Sequence, residues 1–256
     1  MTRVAVSGAL GKMGTLLIQE IARAEDLELV SGFDIAGADS PLPGGAVVSS
    51  PSQMRDVLAK TGADVLIDFT VAAAATENVC SAAEMGVDLV VGTTGLSLEQ
   101  RERMREAIEG RVAAVISPNF SVGVNVFWKL VGQAAASLPD YDIEVIEAHH
   151  NQKKDAPSGT AMAAVEVIKS VLGPVEVIYG REGATLRKKE IGVHAIRAGD
   201  IVGDHTVLLA GTGERLEIKH QAHSRTAFAC GAVRAARWVV QAQPGVYSMA
   251  DVLGWR

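Results

Sequence analysis

Aromatic residues are scarce in this sequence, at 4%, cysteine occurs only twice, and 24 Lys and Arg against 30 Asp and Glu leave a net charge of −6. Each shortage excludes a class of function. Without a basic footprint nothing neutralises a phosphate backbone, and no basic-aromatic cluster offers a platform for stacked bases, so no nucleic acid is expected as partner. Cys80 and Cys230 lie far apart, and neither has a metal-type partner nearby. They read as two buried free thiols of a reducing compartment, and no His/Cys/Asp spacing predicts a metal site. No apolar run approaches the roughly 18 residues that span a bilayer. The most apolar long stretch, 122–138, is broken by Asn125, Lys129 and Gln133. The chain enters a strand-like segment at once, with no charged-then-apolar leader. The expectation is a soluble, cytoplasmic protein with no membrane partner.

The 256 residues are 48% apolar and 21% charged, enough for two domains with ordinary cores. The first half alternates strand-like segments (3–7, 27–34, 65–69, 89–91, 112–116) with helix-like ones (12–24, 52–60, 72–85, 98–108). Ser52 and Ser97 are candidate helix caps, and the Pro- and Gly-rich stretch 40–51 reads as loop. This alternation predicts the α/β class, with a Rossmann-like doubly wound parallel sheet. After Pro118 and Asn119 the pattern changes. A helix over 122–138, a strand over 143–148 and a helix within 157–171 precede four strands at 175–179, 191–196, 206–210 and 216–220. Turns at 197–200 and 211–213 read as hairpins. The second domain is therefore expected to be α+β with a mixed or antiparallel sheet. A last helix over 227–242 returns to the first domain. The predicted division is 1–120, completed by 229–256, and 121–228.

Gly8, Gly11 and Gly14 follow the first strand and open the first helix. Glycine there lets backbone approach a pyrophosphate, and the helix start supplies N–H groups and a partial positive charge. The spacing departs by one residue from the standard dinucleotide fingerprint. Asp34, at the end of the second strand, stands where an acid hydrogen-bonds an adenosine ribose. A carboxylate there repels a 2′-phosphate, so NADH is the expected cofactor, with NADPH tolerated. Lys12 either pairs with phosphate or stays a solvated surface charge. Gly92, Thr93 and Thr94, with Gly95, follow another strand and either line the nicotinamide half or form a plain turn. Asn119 and Phe120 also follow a strand end and could line the same pocket.

The densest chemistry lies between Glu147 and Ala161. His149 and His150 adjoin, Lys153 and Lys154 follow, and Ser158, Gly159 and Thr160 lead into a helix. A cationic patch beside an anion-binding helix start suggests a carboxylated substrate, and lysine can supply the proton that accompanies hydride transfer. The alternative is a solvated basic loop with an ordinary helix cap. His223 and Arg225 lie near the return to the first domain. They either reach the pocket or, together with His194, His205 and His220, read as sheet or hinge hydrogen-bonders.

These motifs resemble the dihydrodipicolinate reductase family over nearly the whole chain. Residues 8–14 match its Gly-x-x-Gly-x-Met-Gly, and residues 147–161 match its Glu-x-His-His-x-x-Lys-x-Asp-Ala-Pro-Ser-Gly-Thr-Ala. Segments 92–95, 118–121, 194–206 and 224–231 add to the likeness. The resemblance implies His149 and Lys153 as the catalytic pair, with Lys153 the proton donor. It implies substrate carboxylates held by His150 and by Gly159 and Thr160. It implies a cofactor lined by Gly8, Lys12, Met13, Gly14, Asp34, Gly92, Thr93, Thr94, Asn119 and Phe120. Hydride would pass to the ring of a small cyclic dicarboxylate and a proton to the adjacent carbon, giving tetrahydrodipicolinate on the way to diaminopimelate and lysine. The resemblance further implies a homotetramer built through second-domain sheets, so that 121–228 serves both substrate binding and oligomerisation. Some members carry Arg directly after the ribose-binding acid, whereas this chain has Ile35. Two other readings stay open on the residues alone: a dehydrogenase for an amino-acid or semialdehyde substrate, and a non-enzymatic NADH sensor.

Overall fold

The computed structural model describes residues 1–255. Met1–Ser121, joined by the chain from Thr226 onward, forms one compact unit, and Val122–Arg225 forms the other. The first unit opens with β1 (Thr2–Ser7), α1 (Lys12–Arg23), β2 (Leu27–Phe33), β3 (Val48–Ser49), α2 (Met54–Thr61) and β4 (Val65–Asp68). It continues with α3 (Ala72–Glu84), β5 (Asp88–Val91), α4 (Leu98–Ile108) and β6 (Ala113–Ile116). These strands lie in the order β6-β5-β4-β1-β2-β3, and every pairing is parallel. Both faces of such a sheet are covered, so its strands are apolar runs and not alternating ones. All four residues of β4 are buried, Asp68 included. Phe33, Leu66, Leu89, Met104 and Ile108 meet in the core. The sheet winds outward in both directions from the β1–β4 pair, which places a crevice at the carboxyl ends of these strands.

Two local expectations are corrected. The stretch 40–51 is not all loop, because Val48 and Ser49 pair with Gly32 and Phe33 to make β3. The α2 region is capped by Ser50 and not Ser52. Pro51, with φ already fixed, starts a 3₁₀ turn, and Ser50 and Gln53 form a capping box around it. Ser97 does cap α4: its Oγ accepts from the Gln100 amide at 3.1 Å, and Gln100 Oε1 accepts from the Ser97 amide at 2.9 Å. Both thiols are free, but neither is buried: Cys80 is half-exposed and Cys230 exposed.

The second unit comprises α5 (Val122–Ser137), β7 (Asp142–His149), α6 (Gly159–Leu172), β8 (Glu176–Tyr179), β9 (Glu190–Arg197), β10 (Gly203–Gly211) and β11 (Glu214–Ala222). The sheet is mixed, in the order β11-β10-β7-β9-β8. Residues alternate along β7: Ile143, Val145, Glu147 and His149 are buried, while their neighbours are only half-covered or exposed. Ile143 and Val145 pack with Val131, Val165 and Ile168 of α5 and α6. Only the turn at 211–213 is a hairpin. The 197–200 turn is not, because β7 lies between β9 and β10, parallel to the first and antiparallel to the second. The chain then returns through α7 (Thr226–Val239), β12 (Gly245–Tyr247), which pairs with β6, and α8 (Met249–Val252). No helix among the described residues is long and apolar enough to cross a membrane.

Candidate active site

The loops after β1, β2, β4, β5 and β6 leave the carboxyl ends of the first sheet. Gly8 adopts φ +76°, a left-handed conformation that suits glycine, and its amide donates to the Phe33 carbonyl at 2.8 Å. A Cβ on Gly14 would collide with the Gly8 carbonyl and the Ala9 backbone, so α1 starts pressed against the turn that follows β1. Lys12 is exposed and Met13 half-buried in this turn. Asp34 closes the next loop over it, Oδ2 accepting from the Leu10 amide at 3.0 Å. A turn with no room for side chains, a helix start and an acid at its rim fit a pyridine nucleotide.

The loops after β4 and β5 are joined through Asp68. Its buried carboxylate accepts from the Thr70 amide and hydroxyl at 3.1 and 2.8 Å, from the Thr93 hydroxyl at 2.9 Å and from Asn78 Nδ2 at 2.8 Å. A Cβ on Gly92 would strike the Phe69 ring. Thr94 is exposed beside them. Phe69 packs on Phe120 with ring centroids 5.6 Å apart. Asn119 Oδ1 accepts from the Ser121 amide at 2.9 Å, which shapes the loop after β6.

The second unit gathers its chemistry where β7 and β9 end and α6 begins. Glu147 and His149 are two residues apart on β7 and share its helix-covered face. Glu147 is fully buried. Its Oε2 lies 2.6 Å from His149 Nδ1 and accepts from Arg197 Nη1 at 2.9 Å. Its Oε1 accepts from Arg197 Nη2 at 2.8 Å and from the Ser158 amide at 3.0 Å. Ser158 Oγ in turn caps α6 at the Ala161 amide, 3.2 Å away, and lies 3.0 Å from His205 Nε2. His205 meets the His149 ring edge-on, centroids 5.1 Å apart. Lys153 Nζ pairs with Asp155 at 2.9 Å, and Arg225 Nη2 lies 3.3 Å from His150 Nε2. Nothing lies within 4 Å of where a Gly159 Cβ would stand, so the α6 start is open there. Thr160 is half-buried in the same turn, its carbonyl held by Trp128 Nε1 at 3.1 Å.

Family models described as the N-terminus and the C-terminus of dihydrodipicolinate reductase match residues 2–120 and 123–253. The chain belongs to the dihydrodipicolinate reductase family. It is 56% identical to 4-hydroxy-tetrahydrodipicolinate reductase of Methanosarcina barkeri, over 99% of this chain and 100% of that one. It is 57% identical to the Methanoculleus marisnigri enzyme of the same name, with the same coverage. The dipicolinate-bound dihydrodipicolinate reductase from Paenisporosarcina sp. TG-14 superposes with a TM-score of 0.84 at 27% identity, covering 98% of this chain and 99% of that one. An apo scyllo-inositol dehydrogenase from Lactobacillus casei shares the fold alone, with a TM-score of 0.65 at 14% identity over 99% and 93% of the chains.

The chain is an oxidoreductase that uses a pyridine nucleotide, and burial and neighbouring charges together set the electrostatics of its site. Burial pushes the Glu147 carboxyl up, but Arg197, His149 and the Ser158 amide together outweigh it and hold it below the ordinary range. Burial, helped by the positive charges of Lys153 and Arg197, pulls His149 down against the opposing pull of Glu147. It pulls His205 down to about 4. Sequence alone places Ser158 only in the anion-binding helix start or its cap, and it gives no role to Glu147, Arg197 or Asp68. One signal was available: Glu147 and His149 stand two apart on a strand, hence on one face. Arg197 carried none, because its partner is 50 residues away and only the β7–β9 register pairs them.

Proposed function

We propose that the reductase binds its cyclic dicarboxylate at the 149–160 segment of the second unit and protonates it from Lys153. The observation that carries this is the meeting of His149, Lys153 and the open α6 start around one strand end. Bound in the Gly8–Gly14 cradle, a reduced pyridine nucleotide supplies the hydride. Gly159 and Thr160, in the first turn of α6, take one carboxylate, since first-turn amides lack intrahelical acceptors. His150, beside Arg225, takes the other. Lys153 Nζ gives its proton to the carbon next to the one that receives hydride. His149 is uncharged at neutral pH and orients the bound ring. The product is tetrahydrodipicolinate, a precursor of diaminopimelate and lysine. The dipicolinate bound to the Paenisporosarcina reductase supports a planar dicarboxylate ligand.

NADH is the preferred cofactor in this reading. Asp34 puts a carboxylate at the ribose position, and the exposed Ile35 offers a 2′-phosphate no cation. The enzyme works as a homotetramer joined through the second-unit sheets. Free thiols and dependence on a pyridine nucleotide support a cytoplasmic setting.

A coupled assay tests the reading. Substrate is generated in place from pyruvate and aspartate semialdehyde by the preceding synthase, and NADH and NADPH are compared by their absorbance at 340 nm. Synthase-dependent oxidation, faster with NADH, is expected. Replacing Lys153 with Ala should lower kcat by about 10²–10⁴-fold, the usual worth of a positioned acid. Pyridine-2,6-dicarboxylate should still bind that variant. Full kcat in Lys153→Ala would overturn the proton-donor assignment, and faster oxidation of NADPH would overturn the argument from Asp34.

A further inference from the structure

Glu147 has no role in the reaction just proposed, yet it touches more of the site than any residue given one. A carboxylate has two oxygens and about four lone-pair positions. Here four nitrogens face them: Arg197 Nη1 and Nη2, the Ser158 amide, and His149 Nδ1. Guanidinium and amide groups only donate, and an ionised carboxylate only accepts. The proton between Glu147 and His149 therefore sits on Nδ1, and the neutral ring carries its lone pair on Nε2. Gly203 leaves room at that nitrogen, since a Cβ there would come within 3.0 Å of Nε2. The other oxygen holds the residue that caps α6. One side chain thus fixes both the tautomer of His149 and the place of the helix start relative to it.

We propose that Glu147 is a positioning residue of the reductase: Oε2 holds His149 as the Nδ1–H tautomer with Nε2 presented, and Oε1 ties the carboxylate-binding start of α6 to that same ring. The proposal rests on the reading of His149, Gly159 and Thr160 as site residues. Other groups around His149 are Lys153 and Asp155 from the following loop, Arg197 of β9, and His205 of β10, with Asp204 and His220 behind His205. None of these offers Nδ1 a second carboxylate within hydrogen-bond range among the described residues.

The test is ¹⁵N NMR of the histidine-labelled full chain, with His149 assigned by loss of its signal in His149→Gln. In the wild type the unprotonated nitrogen should be Nε2. An Nε2–H ring there overturns the proposal whatever any variant does. In Glu147→Gln, Arg197 claims the single amide oxygen and the NH₂ group is left facing Nδ1, so the tautomer should switch. With it, kcat should fall about 100-fold or more, as when a catalytic histidine elsewhere loses its orienting carboxylate. The KM for NADH should not move, and pyridine-2,6-dicarboxylate should bind more weakly. Unchanged tautomer and kcat in a folded Glu147→Gln also overturn the proposal. Loss of kcat from instability alone would show as a lowered Tm with the tautomer unswitched, and that too counts against it. If the wild type shows the Nδ1–H tautomer but Lys153→Ala and His149→Gln keep full turnover, the site reading fails while the geometry of Glu147 stands.

Discussion

A neutral histidine sealed inside a protein carries a pH dependence that a surface histidine lacks. His205 is buried between His149 and Phe127, its Nε2 on Ser158 and its Nδ1 without a partner among the described residues. Burial lowers its pKa to about 4, against 6.5 for the free side chain. The unfolded chain therefore binds more protons between these values. The contribution to stability is complete above pH 6.5 and is lost as pH falls towards 4, to about 3 kcal/mol at full protonation. His149, also lowered by burial, acts in the same direction. Calorimetry from pH 7.5 to 4 should show Tm falling across this window, and less steeply in His205→Gln. A wild-type Tm that stays level there would remove the argument. The residue scale also marks what could be read in advance. His149, Lys153 and Gly159 announce themselves because chemistry and sequence neighbourhood coincide. Asp68 and Arg197 do not, because their meaning lies in partners brought together by strand register.

Elements show where glycine is structure and where it is site. A Cβ on Gly14 would overlap the Gly8 carbonyl, whereas one on Gly159 would meet nothing within 4 Å. Gly14→Ala should therefore cost at least about 1–3 kcal/mol, the range for overpacking, and abolish NADH binding. Gly159→Ala should stay within about 0.5 kcal/mol of the parent, as surface changes do, yet weaken pyridine-2,6-dicarboxylate severalfold by filling the space above the helix start. Thermal melts and titration calorimetry on both variants check the contrast, and equal effects on Tm would refute it. Parallel strands and their helices were legible because buried runs and amphipathic helices alternate at regular length. The turn at 197–200 misled because its residues look like those of the true hairpin at 211–213. Only the insertion of β7 between β9 and β10 separates them. The strand β12 is three residues long, too short for periodicity to reveal.

At the scale of the whole molecule, the second sheet has one face to spare. Helices α5 and α6 cover the side bearing Val145, Val193, Val207 and Leu209. By register, Ile146, Ile178, Ile196 and Leu208 stand on the opposite side, outside that core. A sheet face carrying apolar residues without a covering layer favours association with further copies. Beside it, Glu144 is paired with Arg181, Arg187 and His194. The proposed tetramer buries this face, and Leu208→Lys tests it. Leu208 stands directly across from Glu144, so a lysine there gains an opposite charge on its own sheet and the unit should still fold. Buried between copies, the same lysine carries a desolvation cost that the single chain does not meet. Light scattering at micromolar concentration should show four copies for the wild type and smaller species for Leu208→Lys, with Tm lowered by loss of the partner contacts. A monomeric wild type, or a variant that remains four copies with unchanged Tm, would move the association to another surface.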